Sequence, residues 1–416
     1  MNRRVFAGRF SALHSADFRN LWIGQIISAA GSQMQFWALN WQIYEITRSP
    51  YALGLIGLVR VGPILVFSLL GGMMADARDR RRVLLVTQSA LALVALVLAA
   101  LSGAFQNHPP VWTLYALTAL GAAAISFDNP ARQALIPSLV PRDELPNALA
   151  LNSTGFQVAT IAGPMLAGLV IGKFGPAWAY ALNAVSFGAV IVALVFLRYR
   201  PPAESAGAGA VSLDALKEGL AFVAKTPILV STMALDFFAT FFSSANALLP
   251  IFAKDILHVG PTGYGLLAAA PAVGSLVAGV GVSVMPPIVR QGRTLIAAVF
   301  VYGLATIGFG FSNVFWLSAL FLAATGAADT VSTVLRQTIR QLVTPDRLRG
   351  RMVSVNMIFF MGGPQLGELE AGVVAGLAGA PFSVISGGVG CLIAAALVAR
   401  RAPGLRHYRT EGGALQ

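Results

Sequence analysis

Long apolar runs, each closed by a short break containing glycine, proline or charge, follow one another along almost the whole chain. A helix needs about 20 apolar residues to cross the hydrocarbon core of a bilayer. Charged residues make up only 11% of the sequence, whereas an average soluble domain carries roughly a quarter. The pattern excludes an ordinary soluble protein and predicts an all-α membrane protein. Twelve transmembrane helices are expected, at 18–45, 51–75, 83–104, 111–136, 145–172, 176–198, 227–253, 261–285, 293–312, 314–338, 350–376 and 380–400.

The longest polar interruption divides the chain into two halves. It is rich in glycine and alanine, as flexible linkers are. A repeat supports this division, because Arg132 and Gly168 have counterparts at Arg336 and Gly372, each 204 residues later. Two repeats of this size are typical of transporters whose substrate binds between the halves. We expect pseudo-symmetric six-helix bundles at 1–198 and 227–400, a cytoplasmic linker at 199–226 and a cytoplasmic tail at 401–416.

The distribution of basic residues predicts the orientation in the membrane. With twelve crossings both termini lie on one side, and the opposite loops carry only Arg48, Lys173 and Lys254 of the 29 lysines and arginines. Because basic residues collect in cytoplasmic loops, both termini are predicted to be cytoplasmic in a multi-pass protein of the bacterial inner (plasma) membrane. No removed signal peptide is expected. The net charge of +12 is spread over short loops, so nucleic acid is not an expected partner.

The residue types that serve most metal and enzyme chemistry are scarce and scattered. The single cysteine is Cys391, and the four histidines are far apart in sequence. Neither a nucleophile elbow nor a phosphate-binding loop occurs. We therefore expect no metal site, no cofactor and no enzyme activity, and transport energy must come from an ion gradient or from the substrate's own gradient.

The loop after the second predicted helix, Gly71–Arg82, resembles the signature loop of the major facilitator superfamily, Gly-x-x-x-Asp-Arg-x-Gly-Arg-Arg/Lys. Ala77 and Asp79 depart from that pattern. The resemblance implies the major facilitator fold and a latch in which the Asp lies at the start of the eleventh helix. The Arg four residues on would pair with an acid of the fourth helix. The alternative is a plain basic cytoplasmic turn. The latch positions are Gly72, Asp76, Arg80, Arg81 and Asp128.

A glycine and proline pattern in the fifth predicted helix resembles the antiporter motif of the exporter branches. Its positions are Gly155, Gly163, Pro164 and Gly168. Small residues let helices approach closely and proline bends a helix. The motif is therefore expected to form a pliable contact between the two halves.

Two further stretches, Asp17–Gln25 and Phe127–Pro137, resemble the branch that contains the enterobactin exporter and the multidrug and macrolide exporters. This resemblance implies proton-driven efflux of small lipophilic molecules, drugs or siderophores, by alternating access. The expected partners are that substrate, protons and the lipid bilayer, and the expected state is a monomer. A lysophospholipid or other lipid carrier of the same fold is the alternative, and an intramembrane sensor or enzyme is a third.

Charged residues inside apolar segments mark candidate positions for proton coupling, because each is costly there unless it is paired or hydrated. Arg60 and Glu368 lie at similar depths in the second and eleventh predicted helices, which are neighbours in this superfamily. We predict an external salt bridge that protonation of Glu368 would weaken, with a static pair as the alternative. Glu370 points elsewhere on the same helix. Asp329 is expected to be the counterpart of Asp128 in the second half.

The substrate cavity is predicted from polar and aromatic residues on the first and seventh helices. Asp236 lies among phenylalanines, and a carboxylate beside aromatic rings suits a lipophilic cation. Rings packed against neighbouring helices, and amides bonded between helices, are the alternatives. The cavity candidates are Gln35, Trp37, Asn40, Trp41, Asp236, Phe237 and Phe241.

Overall fold

The computed structural model describes residues 11–198, 213–286, 288–345 and 348–409, and every regular element in them is helical. An amphipathic linker helix, Leu213–Lys225, precedes the second half. The long helices are α1 Ala16–Thr47, α2 Pro50–Ala77, α3 Arg80–Ala104, α4 Val111–Leu135, α5 Leu145–Phe174, α6 Pro176–Val195, α7 Pro227–Phe242, α8 Gly260–Val284, α9 Gln291–Phe311, α10 Phe315–Val343, α11 Arg349–Ala378 and α12 Ala380–Arg401.

Within the described residues, ten helical stretches are long and apolar enough to cross a membrane. One of them joins α7 to the short helical turns that continue to Ile256. Helices α1 and α11 are not among the ten. Helix α1 contains Gln35, a predicted cavity residue, and α11 contains Glu368 and Glu370, which are predicted to couple transport to protons.

Prolines and two special glycines set the helix boundaries. Proline occupies a first-turn position of α5, α6 and α7, where the missing N–H costs nothing. Gly175, with φ +87°, separates α5 from α6, and Gly379, with φ +93°, separates α11 from α12. A side chain disfavours this conformation. These glycines are also 204 residues apart, so the internal repeat extends to the backbone conformation.

The chain forms two compact units. The first holds the described residues before Arg48 and those of 59–198, and the second holds Arg48–Leu58 and the described residues from 213 onward. The division therefore falls within the predicted linker. Arg48–Leu58 is an exception to the predicted boundaries, because we had assigned it to the N-terminal bundle.

Close backbone packing explains why Arg48–Leu58 belongs to the second unit. A Cβ atom added at Gly54 would lie 2.9 Å from the Cα atom of Gly372 in α11. One added at Gly57 would lie 2.5 Å from the Gln365 carbonyl oxygen. Arg48 also pairs with Asp255 at 3.6 Å.

The same pattern of helix neighbours occurs in both units. In the first unit α1 packs on α5 and α6, and α3 packs on α4 and α6. In the second unit α7 packs on α11 and α12, and α9 packs on α10 and α12. Each pairing recurs six helices later, as the sequence repeat predicts.

Candidate functional site

Two acidic and two basic side chains form the second-unit charge cluster, which consists of Asp236 in α7 and Asp329, Arg336 and Arg340 in α10. The Nη2 atom of Arg336 lies 2.9 Å from one carboxylate oxygen of Asp236. Arg340 donates a hydrogen bond of 3.4 Å to the other oxygen. The side chains of Asp236 and both arginines are between 3% and 5% exposed. Opposite charges neutralise each other here, since an unpaired buried charge would be strongly destabilising.

Asp329 is the open member of this cluster. Its side chain is 48% exposed, and its carboxylate lies 3.6 Å from Nη2 of Arg336. Arg336 also donates hydrogen bonds to the hydroxyls of Ser332 and Thr333. The same nitrogen of Arg336 therefore contacts a buried and an accessible carboxylate.

The first unit holds a smaller buried cluster around Asp128 in α4. One carboxylate oxygen accepts hydrogen bonds of 2.8 Å from Thr87 and 2.7 Å from Gln88, both in α3. The other accepts a 3.0 Å bond from Nε of Arg132. The Asp128 side chain is 4% exposed, so its charge is both buried and fully paired.

The basic partner of Asp128 differs from the one that the signature-loop resemblance implied. Arg132, one turn along the same helix, pairs with Asp128, while Arg80 donates to the Ala134 carbonyl oxygen at 2.9 Å. The expected Arg80–Asp128 pair is therefore wrong for this structure. An arginine four residues away on one helix reaches the carboxylate without any change in helix packing.

Arg81 closes the C-terminal end of α6. Its Nε and Nη2 atoms donate hydrogen bonds of 2.7 and 2.6 Å to the carbonyl oxygens of Leu194 and Val195. The last carbonyls of a helix have no partner within it. The signature-loop arginine thus joins the start of α3 to the end of α6.

Asp236 does not have the surroundings predicted for a cation-binding carboxylate. Two guanidinium groups already neutralise its charge, and its side chain is buried. The neighbouring rings of Phe237 and Phe241 stack with centroids 5.8 Å apart. The backbone of Phe241 also closely approaches Gly367 of α11. This part of α7 therefore has the packed arrangement that was the alternative interpretation.

The candidate residues of α1 take part in hydrogen bonding and packing within the first unit. Gln35 accepts a 2.8 Å hydrogen bond from Asn183 of α6. Asn40 donates to the Phe36 carbonyl oxygen within its own helix. Trp37 and Trp41 are 9% and 4% exposed. The amide of Gln35 thus has the interhelical role that we had considered as the alternative.

Arg60 and Glu368 lie in different units, and their pairing stays a prediction. The guanidinium of Arg60 lies 4.5 Å from the ring centroid of Phe36, a cation–π contact within the first unit. Glu368 is half-buried in α11, opposite Gly57. Glu370 is half-buried two residues further on.

The antiporter-motif glycines pack against a helix of their own unit. A Cβ atom at Gly155 would lie 2.7 Å from the Ile26 side chain, and one at Gly163 would collide with Gln33, both in α1. Pro164 and Gly168 are buried in the same helix. The observed close contact is between α1 and α5, whereas we had expected these glycines at a contact between the halves.

The sequence profile of the transmembrane secretion effectors, a family of the major facilitator superfamily, matches residues 7–408. The chain belongs to the transmembrane secretion effector family. The enterobactin exporter EntS of Escherichia coli (strain K12) is 26% identical over 413 residues, which cover 98% of this chain and 97% of that protein. The resemblance inferred from the motifs is therefore confirmed.

Solved transporter structures share the fold of this secretion effector. A bacterial homologue of the iron transporter ferroportin, in its inward-facing state, aligns with a TM-score of 0.70 at 15% identity, over 92% of this chain and 98% of that one. A bacterial homologue of the human lysosomal transporter Spinster aligns with a TM-score of 0.71 at 15% identity, over 96% and 99%. The family and these relatives are multi-pass membrane transporters rather than enzymes.

Some predicted positions of this secretion effector lie outside what the structure describes. Gly72 and the side chain of Asp76 are among them, so the latch that these two residues would form stays a prediction. Among the described residues, no three His, Cys, Asp or Glu side chains are grouped so that they could hold a metal ion.

Sequence reasoning missed the arginines of both clusters. Arg132, Arg336 and Arg340 are not among the predicted site residues, although the structure buries or half-buries all three. Two signals could have revealed them. Arg132 follows Asp128 by one helical turn, and the repeat carries the same arginine to position 336.

Proposed function

We propose that this secretion effector is a proton-coupled secondary exporter of small lipophilic molecules, of the siderophore or drug class. Twelve transmembrane helices in two six-helix bundles would work by alternating access in the bacterial inner membrane, with cytoplasmic termini and as a monomer. The observation that carries the proposal is the similarity to the enterobactin exporter EntS along 98% of this chain and 97% of that protein.

The second-unit charge cluster supports proton coupling. Arg336 contacts both Asp236 and Asp329 through one nitrogen, and Asp329 is the accessible partner. A proton bound by the Asp329 carboxylate removes its negative charge. Arg336 then pairs with the charged Asp236 carboxylate and no longer with Asp329. Release of the proton restores the competition between the two acids.

The remaining predicted residues keep their proposed roles. Arg60 and Glu368 are proposed as an external gate, and Glu370 and Asp236 as further groups that respond to protons. Gly72 and Asp76 are proposed for the cytoplasmic latch. The cavity is proposed to involve Gln35, Trp37, Asn40, Trp41, Phe237 and Phe241 through the faces that they present during the transport cycle.

Transport in proteoliposomes tests the proposal. Purified protein receives an imposed pH gradient and a panel of catecholate siderophores, macrolides, lipophilic cations and lysophospholipids. Two readouts are compared, namely uptake driven by the gradient and exchange of labelled for unlabelled substrate without a gradient. The variants are Asp329→Asn and Glu368→Gln, with Asp143→Asn in an exposed loop as the matched control.

We expect the wild type and the control to show gradient-driven flux of a siderophore or drug. In Asp329→Asn the gradient-driven flux should fall at least tenfold. The exchange of labelled for unlabelled substrate should be unchanged, because substrate binding does not need the proton. Loss in Glu368→Gln alone would assign coupling to the external gate. A wild-type flux that does not change with the pH gradient would refute proton coupling. Transport of lysophospholipid without transport of any siderophore, macrolide or lipophilic cation would refute the exporter proposal.

A further inference from the structure

A cavity of about 450 Å³ opens in the second unit between α9, α12 and the short C-terminal turn Pro403–Arg406. Most of its wall is apolar, and one arginine comes from α9 and one from the turn. The lining residues are Arg293, Ile296, Ala297, Phe300, Val301, Ala399 and Arg406.

The fold fixes the C-terminal turn against α9. A Cβ atom at Gly292 would collide with the Leu405 carbonyl oxygen, so the two backbones are in direct contact. The Gly292 N–H donates a 3.2 Å hydrogen bond to the Tyr408 carbonyl oxygen. Leu405 is 1% exposed in the core of the unit. Arg293 and Arg406 each follow one of these contacting residues, so both line the same cavity.

Among the residues that the structure describes, the two cavity arginines differ from those of the charge cluster in having no acidic partner. Within the described part of the chain, neither Arg293 nor Arg406 makes an ion pair or a side-chain hydrogen bond. The side chains of Arg293 and Arg406 are both exposed. Two unneutralised cations at one end of an apolar cavity attract an anion that carries an apolar body.

The apolar wall continues along the outer surface of α9. Val301 is 50% exposed and Leu304 is 57% exposed, as side chains that face lipid are. From Arg293 to Val301 the helix rises by roughly 12 Å. The cations lie at the end of the unit where α9 begins and α12 ends, which is the predicted cytoplasmic side. Anionic lipids are concentrated in that leaflet.

We propose that this cavity is a binding site for an anionic phospholipid. The phosphodiester lies between Arg293 and Arg406, and an acyl chain follows Ile296, Phe300 and Val301 along α9. Basic pockets between transmembrane helices on the cytoplasmic side bind anionic headgroups in this way. The site is separate from the charge cluster and does not depend on the proposed export function.

Native mass spectrometry of the full chain in detergent tests the site. The probes are phosphatidylglycerol and phosphatidylcholine with the same acyl chains. The test variant is Arg293→Gln/Arg406→Gln. The matched control is Arg400→Gln/Arg401→Gln, which removes the same charge from the exposed end of α12 outside the cavity lining.

We expect the wild type and the control to bind phosphatidylglycerol in preference to phosphatidylcholine. The test variant should bind phosphatidylglycerol roughly thirtyfold more weakly, which corresponds to about a fivefold loss for each cation near an anionic headgroup. Equal binding of the two lipids, or an equal loss in the control, would overturn the proposal. So would displacement of the lipid by glycerol phosphate, because that competitor has no acyl chain to occupy the apolar wall.

Discussion

Replacing Asp236 by Asn leaves the second-unit charge cluster with one uncompensated positive charge. Asn has nearly the same volume, so the change alters charge without opening a cavity. Arg340 loses the carboxylate that it contacts, in surroundings where both side chains are at most 5% exposed. Removing one partner of a buried pair costs roughly 3–5 kcal/mol. Asp329→Asn removes the same formal charge, but Asp329 is 48% exposed and contacts Arg336 at the longer distance of 3.6 Å, so less stabilisation is lost.

Thermal unfolding in detergent, followed by tryptophan fluorescence, separates the two variants. Using roughly 2–4 °C per kcal/mol for a unit of about 200 residues, Asp236→Asn should lower the Tm by on the order of 10 °C. Asp329→Asn should lower the Tm by a smaller amount, because its carboxylate is partly exposed and lies farther from Arg336. The buried acid is therefore expected to contribute more to the stability of the unit than the exposed one.

A double variant checks that the cause is charge. Asp236→Asn combined with Arg340→Gln restores a neutral cluster, so it should recover a large part of the lost Tm. Equal Tm losses in the two single variants would refute the reasoning. A double variant whose Tm loss equals the sum of the losses in Asp236→Asn and Arg340→Gln would refute it as well. The Asp236 and Arg340 side chains would then act independently.

Three further outcomes are expected. Gly274→Leu should prevent folding or lower the Tm strongly, since a Cβ there would collide with the backbone of α10, while Gly281→Leu faces open space and should be neutral in the same melting assay. Asp128→Ala should be destabilised by about 3 kcal/mol, and adding Arg132→Ala should restore stability in a double-mutant cycle; an additive pair would contradict the ion pair. Arg81→Gln should lose about 1–3 kcal/mol because the end carbonyls of α6 lose their donors, and hydrogen exchange that stayed unchanged at that helix end would argue against this.

The apolar runs located most helices to within a few residues. Helix α5 was expected at 145–172 and spans Leu145–Phe174. Helix α7 was expected to extend to 253, yet its regular part ends at Phe242. Apolar composition reports burial in the membrane but does not specify where a helix ends. Beyond Phe242 the Ser244 hydroxyl bonds to the Thr240 carbonyl oxygen, and such local bonds compete with the helical ladder.

The candidate site was harder to predict because burial cost identifies a charge but not its partner. The sequence predicted a latch role for Asp128 and a cation-binding role for Asp236, and the structure buries both carboxylates and pairs each with arginine. Arg80, Arg132 and Arg336 were all available as bases, and their contacts in the folded structure decide among them. The i,i+4 spacing of Asp128 and Arg132 was visible in the sequence, whereas the pairing of α7 with α10 was not.

The order in which the chain is synthesised separates the two clusters. Asp128 and Arg132 lie on one helix, so that pair can form inside α4 as it enters the bilayer. Asp236 precedes Arg340 by 104 residues, and a ribosome adding about 5–20 residues per second needs roughly 5–20 s to make them. During that interval α7 carries a carboxylate whose basic partners do not yet exist, at a cost of about 2.5–3.5 kcal/mol. The first unit can therefore neutralise its buried acid one helix at a time, whereas insertion of the second is complete only when α10 arrives.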